Sequence, residues 1–321
     1  MSSQVMIAVD SSPHDRQALR LIGNILKNQN RYDVLLFHCL QPHLTRALSE
    51  GLREGHADWE CFRKEQAEAA EVLLEGAKTT LTACGFPAHR IRSEYQADCP
   101  DPAREILRRA EALHIDTIVV GRRGLSPMKR LLLGSVSDKI AQYSPQRSVW
   151  VIDNPLVNSN KVLLALDCRA ESRTVATYAA QFLSSAPDAD FTLLHLIAPL
   201  PPMFWDEGRI LDVEELKQRM PHIAEWESKA RGQVNEHLER CHNILVAAGI
   251  APERVHTLVQ PVHEGITRDI LDFAAGNQIG TVVIGKKSLA KKKPFFLGSH
   301  AHKLLQYSKG IALCLVDEKG P

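Results

Sequence analysis

The sequence predicts an α/β protein made of two tandem, doubly wound domains. Two observations lead to this expectation. Short apolar runs alternate with helical stretches along the chain, which is typical of a parallel sheet covered by helices. The same order of elements also occurs twice, with matching residues at a fixed spacing. Asp10 and Asp167 are 157 residues apart, and so are His38 and His195.

Further along the chain the spacing between the two copies is 164 residues, as for Gly121 and Gly285. A fixed offset with one net insertion indicates a duplicated domain. The copies are joined by residues 153–160, a segment of turn-forming residues that includes Pro155. We therefore expect domain 1 at residues 1–153 and domain 2 at residues 160–321.

Each copy shows the same succession of elements. Its apolar runs predict strands buried on both faces, and one segment alternates apolar and polar residues as a strand does. In the first copy we expect strands at 5–9, 34–39, 90–95, 116–120 and 148–152, and helices at 15–26, 59–83 and 102–113. In the second copy we expect strands at 162–166, 191–197, 254–259, 280–284 and 311–316, and helices at 172–182, 213–248 and 267–275. A further helix precedes the last strand of each copy, and Pro221 should break or kink its helix because proline removes a helical hydrogen bond.

The composition is that of a soluble globular protein, with 44% hydrophobic and 24% charged residues. The formal net charge of +1 gives no global field that would attract nucleic acid or an anionic membrane. The N-terminal sequence lacks the basic and apolar segments of a secretory signal. The seven cysteines include no Cys-x-x-Cys pair, which argues against a disulfide framework and a zinc ribbon. We expect a cytoplasmic protein that binds neither nucleic acid nor membrane and has no metal-binding residues of its own.

A glycine loop follows the fourth expected strand. In the first copy it reads Gly121-x-x-Gly124, nine residues, and Gly134-Ser135. Glycine lets the backbone approach a ligand, and the free N–H groups and positive dipole of a helix start suit a phosphate. The hydroxyls of Ser135 and Ser137 are further donors. Helix caps and tight turns use the same residues, so the spacing alone leaves a phosphate site and an ordinary turn both open.

In its context the loop resembles the ATP-binding motif of universal stress proteins. The resemblance is carried by the loop, by the Asp116-Thr-Ile-Val-Val strand before it, by Asp10 after the first strand, by Leu35-Leu-Phe-His38 and by Arg104-Glu-Ile-Leu. It covers essentially the whole chain as two tandem copies. It implies a five-stranded parallel sheet with helices on both faces in each domain. It also implies that the two domains pair through their last strands and mimic a dimer.

The resemblance further implies which residues of domain 1 hold an adenine nucleotide. Adenine would lie at Ala8, Asp10, Cys39 and Val120, near the carboxyl ends of the first strands. The ribose and phosphates would be surrounded by Gly121, Gly124, Gly134, Ser135 and Val136, with Ser137 nearby. ATP is the expected ligand, while ADP, AMP and an accompanying Mg²⁺ ion stay open. Arg122, Arg123 and Lys129 would either meet phosphate charge or be solvated surface cations.

Domain 2 departs from this pattern at several of the equivalent positions. Ser288 stands where Gly124 does, and His300-Ala301 replaces Val136-Ser137. A serine forced into positive φ costs on the order of 1 kcal/mol or more. A histidine beside the phosphates either blocks them or binds them. We therefore expect domain 1 to bind ATP and domain 2 to bind it weakly or not at all.

The expected function is that of an ATP-binding stress-response or regulatory protein in which domain 2 is the pairing partner of domain 1. His38 and His195 occupy equivalent places late in the second strand, where we expect a structural role because no acid or nucleophile motif accompanies them. A slow ATPase, which would need a positioned water and a divalent metal, is an alternative. A nucleotide-independent interaction protein is another, and a homodimer and an unidentified protein partner stay open.

Overall fold

The computed structural model describes residues 3–10, 12–27, 29–40, 59–122, 133–153, 159–169, 172–186, 188–197, 213–286 and 297–317. The first half contains β1 (Ser3–Ala8), α1 (Pro13–Leu26), β2 (Tyr32–Cys39), α2 (Trp59–Ala83), β3 (Ile91–Gln96), α3 (Pro102–Ala112), β4 (Thr117–Gly121), α4 (Ser135–Tyr143) and β5 (Ser148–Ile152). The second half contains β6 (Lys161–Ala165), α5 (Ser172–Leu183), β7 (Asp190–Ile197), α6 (Val213–Ala247), β8 (Val255–Pro261), α7 (Ile266–Gly276), β9 (Thr281–Gly285), α8 (Ser299–Tyr307) and β10 (Ala312–Val316). A short 3-10 helix precedes β3 (Ala88–Arg90) and another precedes β8 (Pro252–Arg254).

The ten strands form one sheet in the order β3-β2-β1-β4-β5-β10-β9-β6-β7-β8. All neighbouring strands within a half are parallel. The two halves meet through β5 and β10, which are antiparallel, with Val151 opposite Leu313. The predicted fold class, two tandem doubly wound units of five parallel strands each, is confirmed.

The sheet separates two apolar cores. Ile118 and Val119 are neighbours on β4 whose side chains face opposite cores, and both are fully buried. Residues of α1, α2, α5 and α6 contribute to one core, and residues of α3, α4, α7 and α8 to the other. Burial on both faces explains why the strands read as continuous apolar runs rather than as alternating patterns.

Aromatic side chains fill the seam between the halves on the α1 and α5 side of the sheet. The ring of Phe182 lies 5.2 Å from that of Trp150 and 5.4 Å from that of Tyr178, centroid to centroid. Trp150 Nε1 donates a hydrogen bond of 2.9 Å to the Tyr178 hydroxyl, which also pairs with Thr117 Oγ1 at 3.0 Å. Gln29 Nε2 donates to the Phe182 carbonyl at 2.8 Å. Buried aromatic contacts and hydrogen bonds therefore join the two halves at the seam.

Helix α6 continues through Pro221, where we expected a break or a kink, so the helix does not break there. Proline removes one hydrogen bond to the residue four positions earlier, but the turns on either side keep theirs, so a helix can run on past it. None of the described helices is long and apolar enough to cross a bilayer.

Candidate functional site

The predicted site residues of the first half come together at one edge of the sheet. Strands β1, β2 and β4 are parallel and in register, with Ile7 level with Leu36 and with Val119. Their carboxyl ends therefore lie side by side, where ligands bind in open parallel sheets. This edge carries Ala8, Asp10, Cys39, Val120 and Gly121, and α4 begins beside it with Gly134, Ser135, Val136 and Ser137. Gly124 lies outside the described residues.

The turn after β1 is held by two carboxylates. Asp10 Oδ1 accepts a hydrogen bond of 3.0 Å from the Ser12 N–H. The Asp10 N–H in turn donates to the carboxylate of Asp15, which is buried in the first turn of α1. These bonds fix the direction of the Asp10 side chain at the mouth of the site.

The start of α4 offers backbone donors. Gly134 caps the helix without a side-chain hydrogen bond, and its N–H donates to the Arg122 carbonyl at 2.9 Å. The N–H groups of the next residues, Ser135 and Val136, have no helical acceptor because they belong to the first turn. The hydroxyl of Ser137 makes a different contact from the one to phosphate that we expected. It donates to the Gly121 carbonyl at 2.5 Å, so it ties α4 to the end of β4.

Arg122 corrects a prediction. We expected it to meet phosphate or to be a solvated cation, but it is only 2% exposed and reaches into the other half. Its Nη1 donates to Ser308 Oγ at 2.9 Å and its Nη2 to the Gln306 carbonyl at 2.7 Å. Its Nε lies 3.7 Å from Asp153 Oδ2. Arg123 and Lys129, the other cations of this interpretation, lie outside the described residues.

Lys286 is the counterpart of Arg122 in the second half and makes the reciprocal contact. It is 4% exposed, and its Nζ donates to the Ser144 carbonyl at 2.8 Å, to Ser144 Oγ at 2.6 Å and to the Arg147 carbonyl at 2.7 Å. Ser144 and Ser308 are themselves equivalent in the repeat. Sequence reasoning missed both roles, although a cation directly after the glycine in both copies was the available signal.

A second pair of contacts repeats this symmetry across the seam. The Gln146 N–H donates to Asp317 Oδ2 at 3.0 Å, and the Gly310 N–H donates to Asp153 Oδ2 at 3.2 Å. Gln146 and Gly310 both adopt positive φ, of 59° and 67°. Each half thus ends in an aspartate that caps a tight turn of the other half.

At the corresponding edge of the second half the structure contains a cavity of about 300 Å³. This is near the lower end of the volumes typical of small-molecule pockets, roughly 300–1,000 Å³. Its lining includes the counterparts of seven predicted site residues of domain 1. They are Ala165, Asp167, Leu196, Ile284, Gly285, His300 and Ala301, which correspond to Ala8, Asp10, Cys39, Val120, Gly121, Val136 and Ser137. The fold therefore leaves a pocket in the second half at the position equivalent to the site predicted for domain 1.

The polar wall of this cavity differs from the first half. Asp167 forms an ion pair of 3.3 Å with Arg169 and accepts a hydrogen bond of 2.6 Å from Ser172 Oγ. Burial, and to a smaller extent Lys303, lowers the pKa of His300, which disfavours the charged form of this imidazole. Ala301 has no hydroxyl for the Gly285 carbonyl, whereas Ser137 supplies one to Gly121.

The two equivalent histidines are bound to backbone. His38 Nδ1 lies 2.6 Å from the Val9 carbonyl, and His195 Nδ1 lies 2.8 Å from the Leu166 carbonyl. His195 also lies 3.2 Å from the Cys168 sulfur. Burial raises the pKa of that thiol to about 12, so it stays protonated at neutral pH and is a poor nucleophile. The contacts therefore favour the structural role.

Comparison with known proteins shows to which family this chain belongs. A model of the universal stress protein family matches residues 1–153 and again residues 158–310. The chain belongs to the universal stress protein family. The resemblance read from the loop and the strands is thereby confirmed, including its tandem form.

Individual relatives agree with this assignment. The universal stress protein YxiE of Bacillus subtilis is 30% identical over 147 residues, which are 45% of this chain and 95% of that protein. A universal stress protein of Mycolicibacterium smegmatis is 28% identical over 173 residues, 49% of this chain and 58% of that protein. Among solved structures, a universal stress protein of Archaeoglobus fulgidus aligns with a TM-score of 0.62 at 19% identity, over 99% of this chain and 97% of that one. That likeness shows a shared fold over the full tandem length.

Proposed function

We propose that this universal stress protein binds ATP at the carboxyl edge of β1, β2 and β4 in domain 1, and acts as a nucleotide-dependent regulatory protein in the stress response. The observation that carries the proposal is the second-half cavity. It lies at the second-half edge equivalent to the one where the motif of domain 1 places the nucleotide, and the counterparts of the motif residues line it. The first half has the same strand order and the same helix start at this edge.

The residues of domain 1 fit the parts of the ligand. Ala8, Val120 and Cys39 would border the base, and burial keeps Cys39 an uncharged neighbour because it raises the pKa of the thiol. The Asp10 carboxylate would accept a hydrogen bond from the nucleotide. The N–H groups of Ser135 and Val136 at the positive end of α4 would meet phosphate oxygens.

Domain 2 would contribute mainly as the pairing partner. His300 replaces Val136 in the first turn of its helix, and Ala301 cannot brace the preceding glycine as Ser137 does. The Gly124 to Ser288 change points the same way. We keep residues 1–153 and 160–321 as the proposed domain bounds, and a cytoplasmic location stays a prediction from the cysteine usage.

The test begins with protein purified without added nucleotide, from which bound nucleotide is released by denaturation, identified and counted. About one ATP per chain is expected; two per chain would contradict the difference between the domains. A Val136→His variant places the domain 2 residue in domain 1 and should weaken ATP binding in calorimetry. The matched His300→Val variant should leave that binding unchanged. Absence of ATP binding by the unmodified chain would refute the proposal.

The same preparation separates binding from hydrolysis. Incubation with ATP and Mg²⁺ should leave the ATP intact over many hours if the nucleotide acts as a regulatory ligand. Stoichiometric or catalytic release of ADP or AMP would establish the slow ATPase instead.

A further inference from the structure

Arg122 and Lys286 occupy the roots of the two glycine loops. The Arg122 N–H donates to the Ile152 carbonyl at 2.8 Å, and its carbonyl accepts from the Gly134 N–H at 2.9 Å. Arg122 is the first residue after β4, and its backbone therefore links the end of that strand to the cap of α4. Lys286 does the same in the second half, where its carbonyl accepts from the Gly298 N–H at 2.7 Å. Each residue closes the loop of its own half.

The side chains of these two residues hold the opposite half. Arg122 binds Gln306 and Ser308 at the carboxyl end of α8, and the amino end of the same helix carries His300 in the wall of the second-half cavity. Lys286 binds Ser144 directly after α4, and the amino end of α4 carries the candidate phosphate donors of the first half. A nine-residue helix is about 13 Å long. Each anchored helix end therefore lies about 13 Å from the end that borders the site.

These contacts are of a kind that resists distortion. The donors are charged, the acceptors are carbonyl and hydroxyl oxygens at 2.6–2.9 Å, and both cations are almost fully buried. Charge-assisted hydrogen bonds in such surroundings are stronger than neutral ones, and breaking them leaves buried polar groups unpaired. Moving either cation away from these acceptors would therefore leave buried polar groups of the opposite half unpaired.

We propose that Arg122 and Lys286 are positioning residues that couple the candidate site of domain 1 to the equivalent cavity of domain 2. Each one joins the end of the fourth strand of its own half to the helix that borders the carboxyl edge of the other half. The contact runs in both directions, so a ligand that stabilises one edge changes the stability of the helix at the other, and the effect is reciprocal. Only the functional consequence of this coupling, a change in nucleotide affinity, rests on the nucleotide site proposed for domain 1.

The test replaces Lys286, a residue of the second half, and measures the first half. Lys286→Met keeps the side-chain length and removes the ammonium. We expect ATP affinity at domain 1 to fall by about five- to tenfold, because α4 loses its anchor. Gln29→Met is the matched control, since Gln29 is also buried and also donates across the seam, to Phe182, and its hydrogen bonds within the described residues reach neither α4 nor α8. Lys286→Arg retains a cation as at position 122 and should keep most of the affinity.

Amide hydrogen exchange supplies a readout that does not depend on ATP. In Lys286→Met the amides of α4 should exchange faster, and in Arg122→Met those of α8, whereas Gln29→Met should change neither. If exchange and affinity in Lys286→Met match those of Gln29→Met, the coupling is refuted. If the unmodified chain binds no ATP but the crosswise exchange pattern is present, the proposed ligand is wrong and the coupling stands.

Discussion

Replacing Arg122 by methionine should destabilise the protein far more than the loss of an ordinary cation. The guanidinium makes two hydrogen bonds to the second half and faces Asp153, and the two side chains are 3% and 7% exposed. Hydrogen bonds from a charged donor contribute about 1.5–3 kcal/mol each. Removing one partner of a buried ion pair costs about 3–5 kcal/mol, because the remaining charge is left uncompensated. Methionine fills much of the same space, so the cavity contribution is small.

We therefore expect Arg122→Met to lower the free energy of unfolding by about 3–5 kcal/mol. Urea denaturation at neutral pH, followed by circular dichroism and by tryptophan fluorescence, to which the buried Trp150 contributes, measures this directly. Asp153→Asn separates the causes, since the amide oxygen still accepts the Gly310 N–H but carries no charge. The double variant should then be more stable than Arg122→Met alone.

Two results would refute this reasoning. A loss below about 1 kcal/mol for Arg122→Met would give the contact the small value of an exposed ion pair. A double variant whose loss equals the sum of the two single losses would show that Arg122 and Asp153 are energetically independent.

Three further predictions concern other parts of the chain. Phe182→Ala should cost about 3–5 kcal/mol in urea denaturation, because a fully buried ring at the seam is lost, whereas Val72→Ala at an exposed position should change stability by less than about 0.5 kcal/mol. Gln146→Gly should stabilise the protein by roughly 0.5–1 kcal/mol, since Gly310 holds the same positive φ in the other half and a non-glycine residue is strained there; a loss of stability would contradict the strain. Burial, followed by Arg173, lowers the pKa of His237, so the unfolded chain binds the proton more readily, and stability should fall as the pH drops below about 6.5. His237→Gln should reduce that slope between pH 7.5 and 5, and an unchanged slope would exclude this residue as its source.

The order of elements and the duplication could be predicted because both are local properties of the sequence. Strands buried on both faces must be apolar throughout, and the offset of 164 residues keeps Gly121 and Gly285 in the same structural place. The edge that carries the site follows from the same reasoning, because parallel strands bring their carboxyl ends together. Residues as far apart as Ala8, Cys39 and Gly121 were therefore correctly placed at one edge.

The environment of individual side chains could not be predicted in the same way. Arg122 is followed in sequence by Arg123 and Gly124, whereas its hydrogen-bond partner Ser308 lies 186 residues further along the chain. Nothing next to Arg122 in the sequence shows that contact. The same holds for Ser137, whose hydroxyl is used by Gly121 rather than offered outward.

Differences between the halves were visible in the sequence, but their packing was not. Tyr178 and Phe182 stand where the first half has Leu21 and Ile25. Only the structure shows that these two rings pack together with Trp150 of the other half. The cavity of the second half is a similar case, since its volume depends on how side chains from several strands and helices fill the edge.

The antiparallel junction of β5 and β10 also limits how the protein can grow. It occupies one of the two edges of each half, and it does so within a single chain. The outer strands are then β3 and β8. Exposed Arg92 on β3, and exposed His256 and the terminal Pro261 on β8, are poorly suited to accept a further strand. Within the described residues, these features disfavour extension of the sheet beyond its ten strands, so we expect a partner to dock on the helices rather than lengthen the sheet.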